Sequence, residues 1–163
     1  MKLKNYTVKR YESYYYSEWN AFISTAKNAT FLFNRDFMEY HSDRFEDFSL
    51  LIFDQEKLVA VLPANRVGVT VFSHQGLTYG GLVLPLNSKL SNVIFIFKSI
   101  LSFLNENEIS TLNIKKIPPI YCDTFSDEID YLVSICNGIT KMKHAVSVIN
   151  LNSNFKISKS RRE

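Results

Sequence analysis

Glycine occurs only five times in 163 residues, and three of the five fall between Gly76 and Gly81. Cysteine is scarcer still. Cys122 and Cys136 form no CxxC pair and no cluster with histidine, which excludes a zinc site and a disulfide framework. Cys122 has no histidine or basic neighbour of the kind that makes a nucleophilic thiolate. The chain lacks GxSxG and GxxxxGK[ST], and with them the common hydrolase and nucleotide-hydrolysing readings. No apolar run follows the opening "MKLKNYTVKRYE", so no signal peptide is expected. The longest apolar segment, "NVIFIFKSILSFL", is interrupted by Lys98 and is too short to span a bilayer. These absences describe a reduced, cytoplasmic protein with neither a metal nor a membrane span.

A basic field is also missing. The net charge is +3, but the last eight residues, "KISKSRRE", hold four basic groups and one acid. Setting these aside from nineteen basic and sixteen acidic groups leaves fifteen of each in the remaining 155 residues. The body is neutral, and DNA is not an expected partner.

What is present is an apolar, aromatic chain of one-domain size, with 46% hydrophobic and 14% aromatic residues. "SEWNAFISTAK" places Trp19, Phe22, Ile23 and Ala26 at helical spacing. Asn34 can cap a short helix starting at Arg35 or Asp36, with Phe37, Tyr40, His41, Arg44 and Phe45 along one side. The apolar runs Ser49–Phe53 and Leu58–Leu62 flank "DQEK", which predicts a hairpin with a four-residue loop, covered on both faces. "VTVFSHQ" predicts a third strand, "LSNVIFIFKSILSFLNEN" a buried helix, and "STLNIKKI" a further strand closed by Pro118 and Pro119. Ser126 predicts the N-cap of another helix that ends before Gly138. "ITKMKHAVSVINL" alternates like a half-exposed strand, and a helix begins near Ser153. This order predicts an α/β (α+β) domain with a mixed, mostly antiparallel sheet and helices on both faces.

Two stretches carry candidate chemistry. In "SHQGLTYGGLVLP", a strand breaks at Gly76 and resumes after Gly80 and Gly81. Glycine admits positive φ and close approach of another group, while Ser73, His74, Gln75, Thr78 and Tyr79 surround the opening. The same pattern also suits a bulge whose polar side chains repair a broken ladder. In "NRDFMEYHSDRFED", Arg35 and Arg44 could grip a phosphate or carboxylate, or could pair internally as Arg35 with Glu39 and Arg44 with Asp47. His41 and His74 could act as acid or base, or serve as structural hydrogen-bonding residues.

"W…FI", "ATFLFNRDFMEYHSDRFEDFSLLIFDQEKLVAVLPAN" and "SHQGLTYGGLVL" together resemble the amino-terminal half of GNAT-fold proteins of the Fem type. That family includes the peptidoglycan-bridge aminoacyltransferases, built from two tandem GNAT-like domains, and is similar in wording to bacterial proteins described as GNAT-type acetyltransferases. The resemblance implies acetyl or aminoacyl transfer to an amine. It implies an acceptor site built from Gln75, Gly76, Thr78, Tyr79, Gly80 and Gly81, with Arg35, Tyr40, His41 and Arg44 beside it, and His74 or Asp47 as base. The acceptor would be a small molecule or a cell-wall precursor. The domain would span residues 1–152, and residues 153–163 would begin a basic linker helix to a second domain. The tail from Lys156 to Glu163, or the face toward that second domain, would be the route to self-association. An acetyl-CoA-binding GNAT domain has Q/R-x-x-G-x-G/A before its long helix; "LVLPLNSKLSNV" has no glycine, so this domain is expected to bind no coenzyme A. Acetyl-CoA or aminoacyl-tRNA would serve only an intact two-domain relative.

Overall fold

The computed structural model describes residues 5–40, 42–143 and 145. Its centre is the hairpin. β3 (Leu50–Asp54) and β4 (Lys57–Leu62) pair antiparallel, and the loop between them has only two residues, with Gln55 at φ 58°. The strands thus run one residue further at each end than the four-residue loop expected from "DQEK", because Asp54 and Lys57 still pair. β1 (Thr7–Arg10) adds to the outer side of β3, giving the order β1–β3–β4.

A second sheet has the order β2–β5–β6–β7, formed by β2 (Glu46–Asp47), β5 (Asn65–Val67), β6 (Thr70–Phe72) and β7 (Thr111–Asn113). Its first three strands are antiparallel, whereas β7 runs parallel to β6. After β2 the chain passes directly from one sheet to the other at Phe48–Ser49 and again at Pro63–Ala64. Phe48 N–H donates to Ala64 O at 2.9 Å, and Ser49 Oγ accepts from Ala64 N–H at 3.2 Å. The serine hydroxyl therefore repairs the ladder where it breaks.

Helices cover both faces. Along β3, Leu50 and Ile52 join one apolar cluster while Leu51 and Phe53 join another, as the period of two requires. The first cluster is closed by α3 (Leu90–Glu106) through Val93, Ile96, Phe97, Ile100 and Leu104. The second is closed by α1 (Tyr16–Thr25) through Trp19 and Ile23, and by the 3-10 turn Phe31–Phe33. Burying residues on both faces is why the strands read as continuous apolar runs. The mixed α/β class with antiparallel sheets is therefore the observed one, divided into two hydrogen-bonded sheets.

Three local expectations need correction. The helix after Asn34, α2 (Arg35–Glu39), is a single short stretch, and Asn34 makes no side-chain cap bond. Arg44 and Phe45 consequently lie beyond it. The last described helix, α4 (Glu128–Ile135), is N-capped by Asp127 and not by Ser126. The Ser126 hydroxyl donates instead to Glu128 Oε2 at 3.2 Å. Residues 139–143 form no strand, while the remainder of that expected strand (Ala145 apart) and the whole basic tail lie outside the described residues.

Glu128 ties α4 to the far side of the domain through an ion pair with Lys27, whose side chain is 4% exposed. Burial alone would raise the Glu128 pKa, but the Lys27 ammonium, a backbone N–H and the Ser126 hydroxyl together outweigh it and hold the carboxyl below its ordinary 4.5. The stabilisation is therefore fully present above that ordinary value and is lost as pH falls through the lower folded value. Glu128→Gln is expected to remove this part of the acid destabilisation while lowering neutral-pH stability by about 1 kcal/mol. Urea midpoints measured from pH 7 to pH 3 check both effects.

Candidate functional site

The stretch from Ser73 to Gly81 leaves β6 and crosses the end of the second sheet. Ser73 N–H donates to Asn113 O at 2.9 Å, and Ser73 Oγ accepts from Lys115 N–H at 2.8 Å. At the other arm, Gly80 N–H donates to Lys115 O at 2.6 Å. The two arms are so close that a Cβ at Gly80 would sit 1.8 Å from Ser73 O. Gly81 has φ +107°, which an L side chain rarely adopts. These two glycines are demanded by the backbone itself.

Lys115 closes the turn a third time, through its ammonium to the Leu77 carbonyl. Burial holds its pKa below the ordinary lysine value. Sequence reading passed over this residue, because "NIKKIPP" offers no sign of which lysine turns inward.

His74 is 3% exposed and, unlike a glycine, sits at φ 142°. Its Nδ1 accepts from Gly76 N–H at 3.2 Å, and its ring packs edge-on against Phe45 at 5.6 Å. An imidazole that accepts at Nδ1 carries its proton on Nε2. To act as a base through Nδ1 it would have to release Gly76. Backbone strain of this kind persists only where surrounding contacts over-determine it.

Gln75 and Thr78 are the exposed residues of the turn. Gln75 is clamped to Asn65 twice, with its N–H donating to Asn65 Oδ1 at 2.7 Å and its Oε1 accepting from Asn65 Nδ2 at 2.9 Å. Asn65 stands opposite Asp47 in the β2–β5 pair. This brings Gln75 toward Asp47 and, through it, toward Arg35. Tyr79 belongs to the opposite end. Its hydroxyl donates to Thr30 Oγ1 at 3.1 Å, and its ring stacks on Tyr121 at 5.3 Å.

Arg35 is 2% exposed and fully engaged. Its guanidinium pairs with Asp47, reaches Glu39 at 3.3 Å and Ser49 Oγ at 3.4 Å, and lies 3.5 Å from the centroid of Tyr11. Asp47 also accepts from Ser49 N–H at 2.6 Å. Of the two internal pairings considered from spacing, Arg35–Glu39 is present. Arg44 instead neighbours Asp43 at 3.8 Å and is exposed. His41 lies outside the described residues.

Tyr40 lies in a different place from the turn. With Phe31, Asn34, Asp36 and Phe37 it lines an open groove of about 460 Å³. Sequence reading missed Phe31, Asn34 and Asp36. Their signal is the spacing 31, 34, 37 with Asp36 and Tyr40 one helical turn apart, at positions left exposed or half-buried. Among the described residues no group of three histidine, cysteine or acidic side chains could hold a metal, and no helix is long and apolar enough to cross a membrane.

No protein-family model matches this chain, and no curated protein matches it. Among solved structures, the ribosomal-protein-S18-alanine N-acetyltransferase from Escherichia coli is similar at 12% identity and a TM-score of 0.45, over 66% of this chain. This chain spans 64% of that protein's length.

Proposed function

We propose that this chain is the acceptor-binding half of an N-acyltransferase of the Fem type, with the acyl donor engaged by a second domain. The observation that supports the reading most is the build of the Ser73–Gly81 turn. Gly80, Gly81 and the strained His74 fix its backbone, Lys115 closes it at three points, and Gln75 and Thr78 face outward from that frame. A rigid mount carrying outward polar groups is what orientation of a substrate needs.

In the reaction, the acceptor amine attacks the acyl carbonyl. A C–N bond forms, the donor's leaving group departs, and the amine loses a proton. Gln75 and Thr78 would orient the acceptor, a small molecule or a cell-wall precursor, while Tyr79 is held at the opposite end of the turn by Thr30 and Tyr121. His74 could take the proton at Nδ1 only by giving up its bond from Gly76, and Asp47 is held as a carboxylate partner of Arg35 and Ser49, so this domain contributes chiefly orientation. The same occupied bonds favour a second reading, a binding module that performs no chemistry.

The full chain is expected to show no rise in Tm with acetyl-CoA, because the segment leading to α3 has no phosphate-cradling glycines. A peptide carrying a free lysine ε-amine is expected to shift the amide resonances of Gln75 and Thr78. Stoichiometric micromolar binding of acetyl-CoA would overturn the donor assignment. A lysine peptide that leaves residues 73–81 unmoved would overturn the acceptor assignment and leave the binding-module reading.

A further inference from the structure

The groove beside α2 has a chemistry that the acyl-transfer reading does not use. Phe31 is 65% exposed and Tyr40 80% exposed, unusual values for aromatic rings on one small surface. The Phe31 and Phe37 rings meet edge to face, with centroids 5.4 Å apart and planes at 89°. The exposed Phe31 ring leaves aromatic surface open to solvent, and aromatic faces attract cations.

The charge on this surface is negative. Asp36 lines the groove, and its Oδ1 accepts from the Tyr16 hydroxyl at 2.6 Å. Among the described residues no lysine or arginine pairs with it. The nearest guanidinium, Arg35, is buried and already shared by Asp47 and Glu39. Asp36 and Glu39 against Arg35 leave α2 with one net negative charge.

We propose that the groove formed by Phe31, Asn34, Asp36, Phe37 and Tyr40 binds an N-methylated organic ammonium group. The carboxylate balances the charge, and the rings receive the methyl groups. A primary ammonium has three N–H donors and holds its water tightly, whereas Asp36 and Asn34 are the non-aromatic polar side chains that line the groove. A methylated ammonium has fewer such demands and sheds water more readily, so it fits this lining better. The site uses Asp36, Phe31 and Phe37, none of which belongs to the Ser73–Gly81 turn, and it stands whether or not acyl transfer occurs.

The test is a nuclear magnetic resonance titration of the full chain with three probes: choline, its neutral isostere 3,3-dimethyl-1-butanol, and ethanolamine. Choline is expected to shift the Phe31, Phe37 and Tyr40 ring resonances saturably. It should bind at least about fivefold more tightly than either other probe. Asp36→Asn and Phe31→Ala should each weaken choline by about threefold or more. Both positions are exposed, and an unmoved Trp19 indole N–H, which donates to Phe33 O, certifies the fold of each variant. Equal binding of the neutral isostere, equal binding of ethanolamine, undiminished choline binding by Asp36→Asn, or no shift at these rings would each overturn the proposal.

Discussion

Gly80→Ala is expected to lower the unfolding free energy by about 3 kcal/mol or more, a loss read directly from urea midpoints. The added methyl would stand 1.8 Å from the carbonyl oxygen of Ser73 and 2.8 Å from its carbonyl carbon. Both atoms are backbone, so no rotamer change relieves the clash. Separating the arms would stretch Ser73 N–H to Asn113 and Gly80 N–H to Lys115 together. Gly68→Ala supplies the comparison. Gly68 also has positive φ, at +58°, but nothing lies within 4 Å of its added methyl. Its cost should be the conformational term alone, about 1 kcal/mol. Equal losses at the two positions would show that the arms are free to part.

The second large effect belongs to Arg35. Arg35→Ala should cost about 3–4 kcal/mol, because it strips Asp47 of its guanidinium and empties the space between Tyr11 and Trp19. Arg35→Lys keeps the charge but not the planar fork that meets Asp47, Glu39 and Ser49 at once. It should recover no more than about half of the loss. An alanine variant within about 1 kcal/mol of the parent would mean that the buried charge and its partners nearly cancel.

The hairpin was legible in the sequence because its apolar runs have the length of strands and a polar break between them. β1 was not. "TVKR" lies at a sheet edge with mostly exposed side chains, and nothing in its pattern separates it from a charged amino terminus. β5, "NRV", is equally short, and its one fully buried residue is an asparagine. The break in the strand between Ser73 and Gly81 was visible from its glycines. What each glycine does was not, since Gly80 answers to a carbonyl seven positions away across a turn. Arg35 shows the limit most clearly. Helical spacing pointed to Glu39, which it does contact, but its main partner Asp47 lies on a strand that helical periodicity cannot see. Arg44 was matched with Asp47 on the same periodicity, and that pairing failed because α2 stops at Glu39.

The β6–β7 pairing has a consequence for the chain during its synthesis. β1, β3 and β4 are all present once residue 62 has been made, so the first sheet can form from what has already emerged. The turn between Ser73 and Gly81 is translated soon afterwards, yet its anchors are Asn113 and Lys115. Asn65 can hold Gln75 earlier, but the two arms of the turn are not joined until α3 has been made and has carried the chain back alongside β6. A nascent chain halted before residue 113 therefore holds a formed sheet and a turn whose two arms are still unjoined.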